Sequence, residues 1–161
     1  MAQRLSLITC FLLFAFFSPT AVAEAGLTAE KGEVIEAVDQ MQQEIQDWSM
    51  TLSDYSEIAL EEHRSAELLA GVLEQEGFML ERGVAGMPTA FVASWGKGSP
   101  VIGILAEYDA LPNIGNAPEP QEQAREDGHP HGQGCGHNLC GAGSVAAAIA
   151  LKRVMDENGM T

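Results

Sequence analysis

Basic residues are scarce in this chain of 161 residues: 8 Lys and Arg stand against 23 Asp and Glu, a formal net charge of −15. A surface of that sign repels phosphate backbones and anionic headgroups, so no nucleic acid and no anionic membrane is expected as a partner. Long apolar runs are equally few. The longest, Leu5 to Phe17, is shorter than the roughly 20 residues that a spanning helix needs, and nothing after it is long and apolar enough to cross a bilayer. There is no internal repeat and no coiled-coil heptad. Cysteine is limited to Cys10, Cys135 and Cys140.

What stands at the N-terminus is ordered. Arg4 is the only charge before Glu24, the apolar run follows it, and Pro19 and Ala21-Val22-Ala23 close the segment. A basic end, an apolar middle and a small-residue site make a secretory signal. Residues 1–23 are therefore expected to be a signal peptide cleaved after Ala23. The mature chain, residues 24–161, is then exported to the periplasm or secreted, has no membrane association after cleavage, and is one charge more negative. Cys10 leaves with the signal. Cys135 and Cys140 can pair in an oxidising compartment. If Cys140 sits in the first turn of a helix, however, the loop thiol need not come within the Cα separation of about 7 Å that a disulfide requires.

The hydrophobic content of 46% is that of a globular domain. Val34, Val38, Met41, Ile45 and Trp48 recur at spacings of three and four, which predicts a helix over 29–50. A second helix is expected from about Ser56 to Glu76, stopping at Gly77. His63, among Glu61, Glu62 and Arg64, reads as a solvated surface residue. Three short runs follow, Phe78–Glu81, Thr89–Trp95 and Val101–Ala106, set apart by Gly- and Pro-containing turns. The last is apolar throughout, as in a central strand buried on both faces, yet it is expected to lack a neighbour on at least one side. Residues 112–134 are polar and aperiodic, the mark of a functional or mobile loop. A third helix is expected from Asn138 to the stop at Asn158-Gly159. The order predicts an α/β domain whose sheet is only partly present.

Two short motifs carry chemistry. In an extended segment Glu107 and Asp109 project to the same side, which suits a metal centre or acid–base work. In Gly134-Cys135-Gly136-His137-Asn138, a thiolate and an imidazole two residues apart can reach one ion. That pairing suits zinc, and imidazole with carboxylates also admits manganese or cobalt. Asn138 is a candidate helix cap, and Gly141 and Gly143 permit close backbone approach. A rival local site uses His129, His131, Cys135 and His137 as four ligands of a closed structural zinc, although Pro130 stiffens that run. Cys135 and His137 as a nucleophile–base dyad is disfavoured, because residues i and i+2 rarely face each other.

The stretch from Gly103 to Pro112, Gly-Ile-Leu-Ala-Glu-Tyr-Asp-Ala-Leu-Pro, followed by Gly134-Cys-Gly-His-Asn-Leu139, resembles the amidohydrolases of the aminoacylase and metallopeptidase superfamily. The branch it resembles most contains p-aminobenzoyl-glutamate hydrolase and the auxin-conjugate hydrolases. Tyr55-Ser-Glu57 through Glu62-His-Arg-Ser-Ala66 is similar to the helical entry of that domain. The resemblance runs from about Val34 to the end. It implies a partial mixed-sheet, zinc-peptidase-like catalytic domain flanked by helices, and makes residues 24–161 its N-terminal part. It implies Cys135 and His137 as ligands of a centre of two divalent ions, zinc or manganese, with Asp109 as the catalytic acidic residue beside them. It leaves Glu107 where other branches carry a histidine ligand, and Gln133 where many relatives carry histidine. The implied reaction is hydrolysis of the amide bond of an N-acyl or N-aroyl amino acid by a full-length, homo-oligomeric parent. The family's general-base glutamate and remaining ligands are expected beyond Thr161, so the chain by itself is expected to be inactive. Two other functions compete: a non-catalytic metal-binding protein using the His129–His137 run, and a structural remnant with Cys135 bonded to Cys140.

Overall fold

The computed structural model describes residues 28–160; the signal-peptide reading lies outside the described residues. The predicted helix over 29–50 is in fact two, α1 (Ala29–Gln40) and α2 (Gln42–Tyr55). Thr28 caps α1, its hydroxyl accepting from the Lys31 N–H at 3.4 Å. The apolar stripe passes through the break, because Met41 itself turns into the core at 3% exposure. The bend at Met41 lets both helices face the long C-terminal helix α4 (His137–Glu157).

The second predicted helix starts later than expected. Ser56 adopts a left-handed conformation (φ 42°) and so does Leu60 (φ 67°), so residues 56–62 form an irregular connection. Helix α3 then runs over His63–Gln75. No local side chain caps it. Instead the Glu57 carboxylate accepts from the N–H groups of Arg64 (3.1 Å) and Ser65 (2.8 Å) and from the Ser65 hydroxyl (2.7 Å). A negative charge there complements the positive end of the helix dipole. The helix ends as predicted: Gly77 follows its last turn at φ 85°, where a Cβ is disfavoured. His63 is exposed, as its charged neighbours suggested.

Strands β1 (Met79–Arg82) and β2 (Phe91–Ser94) pair antiparallel, Met79 opposite Ser94 and Arg82 opposite Phe91, and pack beside α3. They make a two-stranded sheet, so the observed architecture is mixed helix and strand, compatible with part of an α/β domain. The expected central strand is a correction. Among the described residues nothing pairs with Val101–Ala106, and Val101 and Leu105 are each 88% exposed. An apolar run becomes a strand only when another strand takes up its backbone groups. Between this run and the helices lies a groove of about 680 Å³, lined by Phe78, Phe91, Trp95, Val145 and Leu151 among others.

The core is helical. Met41, Leu52, Leu69, Leu73, Val145, Ala146, Ile149 and Ala150 form one buried cluster in which α4 meets α2 and α3. No helix among the described residues is long and apolar enough to cross a membrane.

Candidate metal centre

Residues 107–109 lie outside any regular element, and their side chains go to different settings. Tyr108 turns to the protein: its ring stacks on Phe91 at 6.1 Å between centroids, and its hydroxyl donates to the Thr89 carbonyl. Thr89 in turn donates to the buried Glu62 carboxylate at 2.6 Å. Burial, with the negative charge of Glu62 second, pushes the Tyr108 phenol up to about 12. Because Tyr108 is fixed on one side, Glu107 and Asp109 emerge together on the other.

They emerge onto His137, the first residue of α4. Asp109 Oδ1 lies 2.8 Å from His137 Nδ1, and Glu107 Oε2 lies 3.0 Å from Nε2. The three donor atoms lie within 4.8 Å of one another, the only such group of His, Cys, Asp or Glu among the described residues. The two carboxylates differ in setting: the Glu107 side chain is 62% exposed, those of Asp109 and His137 only 25% and 21%. Asp109 and Glu107 therefore meet the two ring nitrogens in different settings, one sheltered and one open.

The donor set fits a divalent ion. A neutral imidazole donates through one nitrogen and presents a lone pair at the other. With carboxylates against both nitrogens, the two contacts are satisfied either by a proton on each nitrogen or by a neutral ring with a cation between one nitrogen and its carboxylate. Donors that share an ion at about 2.1 Å each stand roughly 3.0–3.5 Å apart, and the 3.0 Å from Nε2 to Glu107 is within that range. Imidazole with carboxylates suits zinc, manganese or cobalt.

Three packing features bring the segments together. Gly141 lets α4 lie close to the carboxylate segment, since a Cβ there would meet Tyr108 Cβ at 3.2 Å and the Glu107 carbonyl at 3.3 Å. Gly143, by contrast, has open space around it. The Ala110 N–H donates to the Glu57 carbonyl at 2.7 Å, and Leu111 and Gly132 exchange backbone bonds of 2.9 and 3.1 Å. Loop 112–134 is thus tied at its base. Its middle is tied by Arg125, which donates to the Ser53 and Asp54 carbonyls at the end of α2, each at 3.0 Å. Asp127 holds that guanidinium at 2.7 Å and is itself held far below the usual carboxylate range, first by the Arg125 hydrogen bond and then by the His129 N–H.

Cys135 stands apart from the three-donor group. It is free and exposed in the turn before α4, and Cys140 is also free and exposed, so no disulfide joins them. The four-ligand run does not converge either. His131 Nδ1 accepts from the Asn113 N–H at 3.3 Å, and the His129 and His131 rings meet edge to face. Asn138 does not cap α4. Gly136 takes the cap position in a left-handed conformation (φ 77°), while the Asn138 amide donates to the Ser49 carbonyl (3.2 Å) and hydroxyl (3.0 Å). Glu107, whose role the sequence left open, is a full member of the group. The one signal for it was its same-side alternation with Asp109.

No family model matches the chain. It is 40% identical over 124 residues to one of the polypeptides of p-aminobenzoyl-glutamate hydrolase of Escherichia coli (strain K12), covering 77% of this chain and 26% of that protein. It is 30% identical over 148 residues to Xaa-Arg dipeptidase of Mus musculus, covering 86% and 30%. To Xaa-Arg dipeptidase of Homo sapiens it is 28% identical over 134 residues, covering 75% and 27%. The chain thus spans between a quarter and a third of the length of these curated relatives.

Proposed function

We propose, from the premise that over its matched residues the chain belongs to the amidohydrolase and peptidase family of these relatives, that it supplies part of a metal centre for amide hydrolysis. The substrate class is a small N-acyl or N-aroyl amino acid or a dipeptide, in keeping with the relatives' names. The observation that carries this reading is the convergence of Glu107 and Asp109 on the two ring nitrogens of His137.

The roles follow from exposure. Glu107 and His137 Nε2, on the open side, would hold a zinc or manganese ion. Asp109, on the sheltered side, fixes the ring through Nδ1, as a carboxylate behind a ligating histidine commonly does. Cys135, two residues before His137 and free, is a further ligand of the two-ion centre that the family resemblance implies. Such ions supply Lewis-acid polarisation of the amide carbonyl and a lowered pKa for water. In this reading residues 24–161 are the N-terminal part of a zinc-peptidase-like catalytic domain, residues 1–23 direct export to the periplasm or beyond, and the general base and remaining ligands belong to the full-length, homo-oligomeric parent. The chain alone binds metal weakly and does not hydrolyse amides.

Element analysis of the full-length parent tests this. His137→Ala and Cys135→Ser are each expected to lower bound metal and hydrolysis of N-acyl amino acids together, whereas Cys140→Ala leaves both intact. Metal retained in His137→Ala refutes the assignment, and equal loss from Cys135→Ser and Cys140→Ala refutes the role of Cys135.

A further inference from the structure

We infer that Gln133 is a positioning residue, whose carboxamide staples the Glu107–Asp109 segment to the first turn of α4 and so sets the spacing of the carboxylates from His137. The purpose of the staple rests on the metal-site reading above; its geometry does not.

The donor group is drawn from two segments, with Asp109 and His137 separated by 28 residues. Their mutual attraction cannot be what aligns them, because two carboxylates and one imidazole at the end of a helix have many arrangements of similar energy. Gln133 reaches both segments at the backbone. Its Nε2 donates to the carbonyl of Tyr108, the residue between the two carboxylates, at 3.4 Å. Its Oε1 accepts from the N–H of Asn138, the residue after His137, at 3.1 Å. The Leu111–Gly132 pairing ends one residue before Gln133 and delivers the side chain to this place.

The bond to Asn138 also meets a need of α4. The first N–H groups of a helix have no partner within it, and Gly136 has no side chain to supply one. Gln133 acts as that cap from outside the helix, and its other end fixes where the cap stands relative to Tyr108. A carboxamide does both, since it carries a donor and an acceptor on one group. A glutamate accepts from Asn138 but cannot donate to Tyr108, and it adds a third anion beside Glu107 and Asp109. A methionine fills the space and makes neither bond.

The test uses the isotope-labelled, metal-free chain, with hydrogen exchange of the Asn138 amide and the ring-nitrogen shifts of His137 as readouts. Zinc titration follows on the same samples. In Gln133→Met, Asn138 exchange is expected to rise at least about tenfold, the His137 shifts to move, and zinc affinity to fall by about 10- to 100-fold, the usual cost of losing an outer-shell partner. Gln133→Glu keeps the Asn138 protection, because the acceptor remains, but not the His137 shifts. A Gln133→Met chain matching the wild type in Asn138 protection and His137 shifts overturns the inference. Should that variant not fold, unchanged His137 shifts in Gln133→Glu overturn it. The two readings fail differently. If the wild type binds zinc no better than His137→Ala while Gln133→Met moves the His137 shifts, the metal reading falls and the staple stands. If zinc binding depends on His137 but not on Gln133, the staple falls and the metal reading stands.

Discussion

Adding one methyl group at each of two neighbouring glycines of α4 is expected to change stability in opposite directions. In a helix interior, replacing Gly by Ala gains about 0.5–1 kcal/mol by reducing the freedom of the unfolded chain. Gly143 is exposed, with nothing within 4 Å of the added Cβ, so Gly143→Ala should show that gain undiluted. At Gly141 the same carbon meets Leu69 Cδ1 at 3.1 Å, Tyr108 Cβ at 3.2 Å and the Glu107 carbonyl oxygen at 3.3 Å. Leu69 can rotate away; the other two belong to the carboxylate segment and move only with it. Overpacking of this kind costs about 1–3 kcal/mol, which offsets or outweighs the helix gain, so Gly141→Ala is expected to lose up to about 2.5 kcal/mol. For a chain of this size a change of 1 kcal/mol moves the thermal midpoint by roughly 3 °C. Thermal unfolding followed by circular dichroism should separate the two variants by several degrees, and the His137 ring signals should move in Gly141→Ala alone. If Gly141→Ala raises the midpoint as much as Gly143→Ala does, the close approach of α4 to Glu107–Tyr108 is not what the packing indicates.

Two further outcomes follow from the anchors around the site. Tyr108→Phe removes the hydroxyl that donates to the Thr89 carbonyl and should cost about 0.5–1.5 kcal/mol in urea unfolding. In the wild type, the folded state keeps the phenol proton up to about 12 and the unfolded chain only to about 10. Stability is therefore lost as pH rises between those values, and Tyr108→Phe should flatten that limb. The Asp127 carboxyl is depressed in the folded state, chiefly by Arg125. Its contribution is complete above the ordinary carboxylate pKa of about 4 and is lost progressively as pH falls below it. Limited proteolysis at neutral pH should cut loop 112–134 faster in Asp127→Asn than in the wild type, with the difference shrinking as pH falls below about 4; equal rates at neutral pH would refute the tether.

Periodicity made the helices legible, and residue type made their ends legible. Gly77 and Gly159 stop α3 and α4 because each takes a positive φ. The break at Met41 was not legible, since the apolar stripe runs through it unbroken; it arises because α1 and α2 both face α4. Nor was the start of α3, which is set by Glu57 from outside the helix. Val101–Ala106 has the composition of a buried strand, but burial needs a partner, and composition does not report whether one is near. Of the site, the same-side alternation of Glu107 and Asp109 was legible because a two-residue period is local. Their convergence on His137 entered only through a resemblance of motifs. Gln133 was marked only as a departure from the histidine that many relatives carry; its bonds to Tyr108 and Asn138 were not legible in an aperiodic loop.

These differences bear on what holds the three-donor group of Glu107, Asp109 and His137 in shape. In a complete sheet, a strand carrying Glu107 and Asp109 would be fixed along its whole length by neighbours on both sides. Here, among the described residues, nothing pairs with the segment upstream, and Val101, Ile102 and Leu105 are exposed. It is fixed from Glu107 onward by the Tyr108 ring and hydroxyl, the Gly141 approach, the Ala110–Glu57 bond and the Leu111–Gly132 pairing. The last of these belongs to the base of loop 112–134, and Arg125 ties the middle of that loop to the end of α2. The loop therefore acts as a brace: its composition is that of a mobile segment, but its anchors fall where the strand has no neighbour. The site also sits in a chain of net charge −15, whose field draws divalent cations toward an open pair of carboxylates. Attraction is thus plentiful, and alignment is the scarcer property. On the proposed metal-site reading, the neutral contacts around His137, more than the charges, are what set the selectivity of the group.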